Sequence, residues 1–341
     1  MAQKSANRRP TMADVAARAG VSRTLVSFIL DGKPGASEDT RRRVLEIADE
    51  LGYRPDAAAR LLALGKSRTL GVLIDVSQLF EAELVTGIYP AAEKSGYDVL
   101  LTANLPGRDE AASVEALVDH RCGAVILLGP MASPAELSAL GTRAPLVVVG
   151  RRLPDDVIGD RVATVRTDDA KGVALAVDYL VQLGHRDILH VDGGQDPASD
   201  DRRAAYRSSM RRHGLESWIR VVPGAHNEAA GADAAHVILA GSRLPTAILA
   251  GNDRCALGLL DVFTRAGVDI PGEVSLMGYD DSRLSDNPRI ALTTIHQDAQ
   301  GLAEQSVALA VDLLTGADIA EPDVVLEPSL RVRGTTAAPR G

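Results

Sequence analysis

The residues TMADVAARAGVSRTLVSFIL, Thr11 to Leu30, predict two short amphipathic helices separated by a tight turn at Gly20-Val21-Ser22. Thr11 can cap the first helix, with Asp14 three positions on as its acidic partner, and Ser22 can cap the second. A glycine at position 20 can take the left-handed conformation that ends a helix. Because the turn is so short, the pattern predicts a helix-turn-helix.

The second helix is expected to have one buried and one exposed face. Apolar residues with inward spacing are Leu25, Val26, Ile29 and Leu30. The exposed face near its N-terminal end then consists of Arg23, Thr24, Ser27 and Phe28. In DNA-binding helix-turn-helix proteins this end enters the major groove.

A third helix is predicted from Ser37 to Leu51, which lets three small helices share one core. Its expected inward residues are Val44, Leu45, Ile47, Ala48 and Leu51. The alternative is an ordinary helical hairpin from a larger core, because spacing and apolar pattern alone do not separate that from a DNA reader.

The distribution of charge favours DNA binding. Residues 1–68 contain 13 Lys and Arg against 8 Asp and Glu, whereas residues 69–341 contain 24 against 38. The net charges are therefore +5 and −14, so the overall charge of −9 conceals a basic head on an acidic body. Basic side chains beside phosphates gain affinity by releasing condensed counterions, which makes this asymmetry typical of a nucleic-acid-binding head.

Three consecutive segments resemble the LacI/GalR family of bacterial transcription regulators. They are TMADVAARAGVSRTLVSFIL, SEDTRRRVLEIADELGYRP and AAARLLALGKSRTLGVLI. The resemblance implies a sequence-specific transcriptional regulator, expected to be a repressor, that is not an enzyme and needs no cofactor or metal. It also implies DNA contacts by Thr11, Ser22, Arg23, Thr24, Ser27 and Phe28.

Among these, the resemblance makes Arg23 and Thr24 the base-reading pair, with Ser27 beside the DNA backbone. Arg23 can donate a bidentate pair of hydrogen bonds to guanine. Phe28 departs from the family, since many members have arginine there, and a phenyl ring cannot donate to guanine. It can touch a thymine methyl group or pack inward.

Residues 54–68 are predicted to join a head, residues 1–53, to a body, residues 69–341. The resemblance implies that the segment from Arg54 to Gly65 becomes a hinge helix on operator DNA and that Leu62 wedges into the minor groove. Pro55 can open a helix, and an isolated helix this short is marginal in water. A plain linker fits the same residues equally well.

Beyond Leu70, apolar strand candidates alternate with helical stretches, which predicts an α/β body of parallel sheets covered by helices on both faces. The candidates occupy residues 70–76, 97–102, 123–129, 145–150, 187–191, 218–222, 246–250 and 274–279, each expected to lead into a helix. So many units exceed one core, so we expect two doubly wound lobes like those of periplasmic binding proteins. The break is expected near Arg161 to Asp168, with a return crossing near Asn287 to Asp298, where strand-like residues 291–295 lead into a last helix.

Ligands of such sheets bind beyond the carboxyl ends of the strands, so a cleft between the lobes is the expected effector site. The resemblance implies a sugar-like effector held by Phe80, Arg202, His226, Asn252, Asp280 and Gln297. In this view Phe80 covers a sugar ring and Arg202 bonds hydroxyls or carboxylates. The alternatives are a helix cap for Asn252 and a local ion pair with Arg283 for Asp280.

The remaining residues bear on function class and location. The sequence contains no zinc, calcium or nucleophile-elbow motif, and Cys122 and Cys255 are expected to be buried free thiols of a reducing compartment. The first ten residues contain no apolar run and no segment approaches the ~20 apolar residues of a membrane span, so neither secretion nor a membrane partner is expected. The alternative class is a two-lobed α/β enzyme.

The expected partners are a pseudo-palindromic operator DNA, a small-molecule effector that is a carbohydrate, and a second copy of the chain in the cytoplasm. Two heads are needed to reach two half-sites on one duplex. A dimer is expected rather than a tetramer, because no leucine heptads follow residue 336. Residues 337–341 are expected to fray.

Overall fold

The computed structural model describes residues 10–30, 32–53, 67–105, 107 and 109–340. The chain divides into two compact units, Met1–Ser67 and Arg68–Gly341, here called unit 1 and unit 2. The hinge helix predicted between Arg54 and Gly65, including the wedge residue Leu62, lies outside the described residues.

The described part of unit 1 contains the predicted helix-turn-helix and a third helix. These are α1 (Met12–Ala19), α2 (Arg23–Leu30) and α3 (Glu38–Glu50). The Asp14 carboxylate accepts the Thr11 amide at 2.8 Å, and Ser22 Oγ accepts the Leu25 amide at 3.2 Å. Gly20 ends α1 with a left-handed φ of 66°.

A small apolar core holds the three helices together. Val15, Val26 and Val44 are wholly buried where the helices meet. The prediction that Leu45 points inward was wrong, because its side chain is 46% exposed. The buried stripe of α3 follows the four-residue spacing of Val44 and Ala48, and the next position along a helix faces about a quarter-turn away.

Within the described part of the chain, unit 2 holds two six-stranded sheets. The first has the strand order β11-β5-β4-β3-β1-β2 and is parallel throughout. Its strands are β1 (Thr69–Asp75), β2 (Asp98–Asn104), β3 (Ala124–Leu128), β4 (Leu146–Val149), β5 (Val162–Thr167) and β11 (Asp323–Leu326).

The second sheet has the order β12-β10-β9-β8-β6-β7 and is parallel except for the antiparallel edge strand β12. Its strands are β6 (Ile188–Val191), β7 (Arg220–Val222), β8 (Ala247–Ala250), β9 (Ser275–Asp280), β10 (Thr293–His296) and β12 (Ser329–Arg331). Each sheet is the centre of one lobe.

Helices cover both faces of each sheet. In lobe 1 (residues 68–167 and 299–326) they are α4 (Leu79–Lys94), α5 (Glu110–Asp119), α6 (Pro134–Gly141) and α11 (Ala299–Thr315). In lobe 2 (residues 168–298 and 327–340) they are α7 (Asp169–Gln182), α8 (Pro197–Arg212), α9 (Glu228–Leu239) and α10 (Asp253–Arg265), with a 3-10 turn at Glu216–Trp218.

Neighbouring strand residues pack on opposite sides of the sheet, as a doubly covered sheet requires. In β1, Val72 packs in the core beneath α4 and α11, whereas Leu73 packs in the core beneath α5 and α6. The predicted fold of two doubly wound lobes is confirmed.

The described chain crosses between the lobes three times. The first crossing is residues 167–169, the second is residues 296–299, and the third is residues 326–329. The first two overlap the stretches expected for the break and the return, and each extends one residue beyond its stretch. The third was not predicted, because β11 and β12 are short edge strands with half-exposed side chains and no continuous apolar run.

Other details differ from the sequence prediction. Residues 161–168 are not a simple break, since β5 occupies most of them, and β4 reaches β5 through an irregular loop rather than a helix. The carboxyl-terminal segment does not fray as expected. Ser275 Oγ donates to Ala337 O at 3.0 Å, His185 Nε2 lies 2.9 Å from the same oxygen, and Arg340 pairs with Asp269.

Both cysteines are buried free thiols. None of the helices in the described residues has both the length and the apolar character needed to span a bilayer.

Helix α11 follows the second crossing yet packs in the core of lobe 1, where Leu302 is wholly buried. We expect Leu302→Ala to lower the free energy of unfolding by about 2–5 kcal/mol, because it leaves a cavity between α11 and the sheet. Urea denaturation followed by circular dichroism measures this. The control Gln305→Ala, on the exposed side of the same helix, is expected to change stability by less than about 0.5 kcal/mol. Equal effects of the two substitutions would contradict the packing of α11.

Candidate functional site

Helix α2 presents a polar and aromatic surface at its exposed side. Arg23 and Thr24 are exposed at its first turn and Ser27 is half-buried. Phe28 is 41% exposed, with Lys33 Nζ 5.6 Å from its ring centroid. Of the two orientations left open for Phe28, the outward one is observed, so the ring and a basic side chain share this surface. Thr11 and Ser22 are also exposed, at the starts of α1 and α2.

The arginine run 41–43 is only partly available for ligands. Arg41 Nη2 donates to the Lys33 carbonyl oxygen at 2.7 Å, which ties the segment after α2 to α3. Arg42 pairs with Asp39 at 2.5 Å on the surface. Arg41 therefore has a structural role within the head.

Unit 2 has a cleft between its lobes with a volume of about 330 Å³. It lies beyond the carboxyl ends of both parallel sheets, as open α/β sheets require. The six side chains predicted for an effector site all line it: Phe80, Arg202, His226, Asn252, Asp280 and Gln297. Phe80 comes from lobe 1 and the other five from lobe 2.

Arg202 is the most constrained side chain of the cleft. Its Nε donates to Asp169 Oδ1 and its Nη1 to the Gly251 carbonyl oxygen, both at 2.8 Å. Its guanidinium carbon lies 3.8 Å from the Tyr279 ring centroid, a stacked cation–π arrangement. Burial works against the charge, but the Asp169 and Asp280 carboxylates raise the pKa of Arg202. The guanidinium is therefore held rigid and charged.

Asp280 ends β9 and faces the same region. Gln297 Nε2 donates to Asp280 Oδ1 at 2.8 Å, so Gln297 rather than Arg283 is its partner. Burial and the neighbouring Asp253 raise the pKa of Asp280 well above its usual value. Its φ of 120° is a strained conformation for a non-glycine residue, and such strain is concentrated at ligand-binding sites.

Asn252 and His226 are held by local hydrogen bonds. Asn252 Oδ1 accepts the Cys255 amide at 2.9 Å, so the helix cap considered as its alternative role is present. His226 Nδ1 lies 3.3 Å from Asp196 Oδ2. Burial opposes ionisation of Asp196, but its contact with His226 lowers the pKa of this carboxyl.

Lobe 1 contributes polar side chains that sequence reasoning missed, among them Asp75, Glu81, Asn104 and Arg151. Asp75, Asn104 and Arg151 lie at or just after the ends of β1, β2 and β4, so the rule that located Asn252 and Asp280 also applies to them. Glu81 lies in α4 and shares the buried helix face of Leu84 and Ile88, at three- and four-residue spacing. That spacing is the sequence pattern that could have predicted the burial of Glu81.

In the described part of the chain, two hydrogen bonds join the lobes directly beside the cleft. Arg254 Nη1, from α10, donates to the Ser77 carbonyl oxygen at 2.6 Å while the same guanidinium pairs with Glu228. The Arg283 amide donates to Glu83 Oε1 at 2.9 Å. The first bond joins lobe 2 to the loop after β1, and the second joins lobe 2 to α4. In the described part of the chain, His, Cys, Asp and Glu side chains form no group of three or more suited to a metal ion.

Comparison with known proteins finds two family matches. Residues 11–56 match "Bacterial regulatory proteins, lacI family", and residues 177–336 match "Periplasmic binding protein-like domain". The HTH-type transcriptional regulator GalR of Escherichia coli is 32% identical over 334 residues, which is 96% of each chain.

Solved structures of related proteins resemble nearly the whole chain. The lac repressor dimer bound to operator and the anti-inducer ONPF has a TM-score of 0.86 at 26% identity, covering 97% of this chain and 100% of that one. The complex of transcriptional regulator CelR with cellobiose has a TM-score of 0.68 at 27% identity, covering 96% and 100%.

The buried pair of Arg202 and Asp169 is expected to contribute strongly to stability. Asp169→Ala should lower the free energy of unfolding by about 3–5 kcal/mol, because it leaves a buried guanidinium without its counter-ion. The matched control is Asp200→Ala, which removes the 77%-exposed partner of the adjacent Arg203 and should cost less than about 1 kcal/mol. Urea denaturation of the two variants measures the difference. Equal small losses in the free energy of unfolding of the two variants would show that the ion pair does not stabilise this part of the protein.

Proposed function

The chain belongs to the LacI family of bacterial regulatory proteins. On that basis we propose that it is a transcriptional repressor whose affinity for operator DNA is controlled by a carbohydrate bound in its inter-lobe cleft. Like its relatives, it is a helix-turn-helix transcriptional regulator and not an enzyme. One observation carries the proposal: six polar and aromatic side chains from separate segments of unit 2 converge on one cleft, in a chain whose first unit is a helix-turn-helix.

The exposed face of α2 is the proposed base-reading surface. Arg23 and Thr24 are free to reach base edges from the first turn of the helix, and Ser27 lies one turn further on. The exposed Phe28 ring offers an apolar contact for a thymine methyl group rather than a donor for guanine. Thr11 and Ser22, at the helix starts, are proposed to contact the DNA backbone. Leu62 keeps its proposed role as the minor-groove wedge.

The cleft is proposed to bind a sugar or related polyol. Phe80 offers an apolar ring surface, while the remaining polar groups set ligand orientation through directional hydrogen bonds. The proposed set is Phe80, Arg202, His226, Asn252, Asp280 and Gln297. The CelR complex with cellobiose supports this class of ligand.

Ligand binding would act on the DNA-bound form by shifting the relative population of two lobe arrangements. The cleft residues Arg202 and Asp280 bond directly to Asp169 and Gln297, which lie at the first and second crossings. A ligand that prefers one lobe arrangement shifts the equilibrium only by its difference in affinity for the two. Ligand contacts at Arg202 and Asp280 are therefore transmitted to the crossings about which the lobes are proposed to move.

We propose a homodimer that acts in the cytoplasm, where the DNA is. Two heads on one duplex read two half-sites, which calls for a pseudo-palindromic operator. The likeness to the lac repressor dimer bound to operator supports this assembly.

Arg23→Ala is expected to weaken binding to an operator selected from random DNA by roughly 1–3 kcal/mol, because a bidentate base contact is lost. Affinity for unrelated DNA should change far less. Fluorescence anisotropy at fixed salt measures both. Arg265→Ala, which removes an exposed arginine from α10, is the control and should leave both affinities unchanged. Equal loss on operator and unrelated DNA would show that Arg23 contacts phosphate rather than bases.

Phe80→Ala is expected to weaken the effect of an active sugar on operator binding about tenfold, because the ring no longer covers the ligand. The readout is the sugar concentration that gives half the full change in anisotropy. The neighbouring Leu79, 39% exposed and outside the cleft lining, provides the control Leu79→Ala. An unchanged dose response in Phe80→Ala would remove this residue from the effector site, and no response to any sugar in the wild type would refute the effector proposal.

A further inference from the structure

Glu81 is a buried carboxyl group at the wall of the cleft. It lies in the first turn of α4, is only 8% exposed and lines the cavity. Its Oε2 accepts the Asp75 amide at 2.7 Å. Among the described residues no hydrogen-bond donor reaches its Oε1, so this oxygen is available to a ligand.

Gly129 makes room for that free oxygen. A Cβ at residue 129 would stand 2.6 Å from Glu81 Oε1, and the residue has a φ of 50°. Because Gly129 also lines the cleft, the carboxyl group lies against bare backbone at the cavity surface. Any side chain at 129 would displace it.

The charges facing Glu81 are mainly negative. Asp75 at the end of β1, Glu110 at the start of α5 and Asp196 at the start of α8 all act on it, and with burial they raise its pKa well above the usual value. In the described chain it has no ion pair with a cation. A desolvated carboxylate among other carboxylates is costly unless a positive group joins it.

In the described chain none of the cations that line the cleft pairs with Glu81, although the buried Nε of Arg151 has no hydrogen-bond partner. Arg151 Nη1 donates to the carbonyl oxygens of Pro130 and Ala132 at 2.8 and 2.9 Å. Arg202 is paired with Asp169. His226 lies against Asp196. Because the described side chains give Glu81 no ion pair, a cationic ligand group fits this end of the cleft.

We propose that Glu81 is a specificity-determining residue of the cleft and selects an effector that carries a protonated amine beside its hydroxyl groups, such as an amino sugar. The ammonium group donates to Oε1 of Glu81, and the ligand hydroxyls bond the polar residues of lobe 2. Anionic effectors such as sugar phosphates are excluded from this end of the cleft by like charge. The inference rests on the proposed sugar-effector function and narrows its ligand class.

The test compares sugars that differ only by amine against hydroxyl. Isothermal titration of the full-length protein uses D-glucosamine with D-glucose, D-galactosamine with D-galactose and D-mannosamine with D-mannose. For the pair that binds, we expect the amino sugar to bind about tenfold tighter or more, because a hydrogen bond between charged groups replaces one from a neutral hydroxyl. The corresponding sugar 6-phosphate should bind more weakly than the neutral sugar.

Glu81→Gln removes the charge and keeps the size of the side chain. It should abolish the preference for the amine over the hydroxyl, because a neutral amide cannot form a charge-assisted hydrogen bond with the ammonium group. Glu93→Gln, an exposed position on the same helix, is the matched control and should keep the wild-type preference. Titration in two buffers of different ionisation enthalpy adds a second readout: because an ammonium group favours the ionised form of Glu81, the proton exchange on amine binding should differ between the wild type and Glu81→Gln.

The outcomes separate this inference from the function on which it rests. Equal affinities for the amino and neutral sugars, a preference that survives Glu81→Gln, or tighter binding of the 6-phosphate would overturn the role of Glu81 while the effector proposal stands. If no member of any pair binds or alters operator binding, the sugar-effector proposal and this inference both fail.

Discussion

The buried contact between Arg202 and Asp169 is the interaction on which the cleft depends. Arg202 comes from α8 and Asp169 from the first crossing, and the same guanidinium also bonds the loop after β8 and stacks on Tyr279 of β9. One side chain therefore connects four segments of lobe 2 around the cleft. Removing either partner leaves an uncompensated charge in the interior, so it is expected to destabilise the packing of all four segments.

Much of the fold follows from sequence pattern because its central strands are buried on both faces. Residues 124–128 and 247–250 are apolar without interruption, a pattern typical of strands that are covered on both faces. The sequence did not predict β5, β11 and β12, because they lack such an apolar run. Each mixes polar and apolar residues, so each can be recognised as a strand only from its pairing with the neighbouring strand in the structure.

The candidate site shows the same division. Asn252 and Asp280 are visible in sequence because each follows or ends an apolar strand, and parallel strands end at the cleft. Arg151 also follows a strand, but the burial of Glu81 and the carboxylates of Glu110 and Asp196 that act on it come from parts of the chain distant in sequence, so its environment could not be predicted. The head was predicted almost completely, because its helices are short and their caps are local. Leu45 was the exception there.

The last two strands have a consequence for how the protein is made. β11 completes the sheet of lobe 1 and β12 the sheet of lobe 2, and residues 335 and 337 then bond to Leu276 and Ser275 inside lobe 2. Neither half of the body is thus a continuous piece of chain. During synthesis neither sheet is complete until residues 323–331 have left the ribosome, and a truncation before residue 323 would remove an edge strand from both lobes at once.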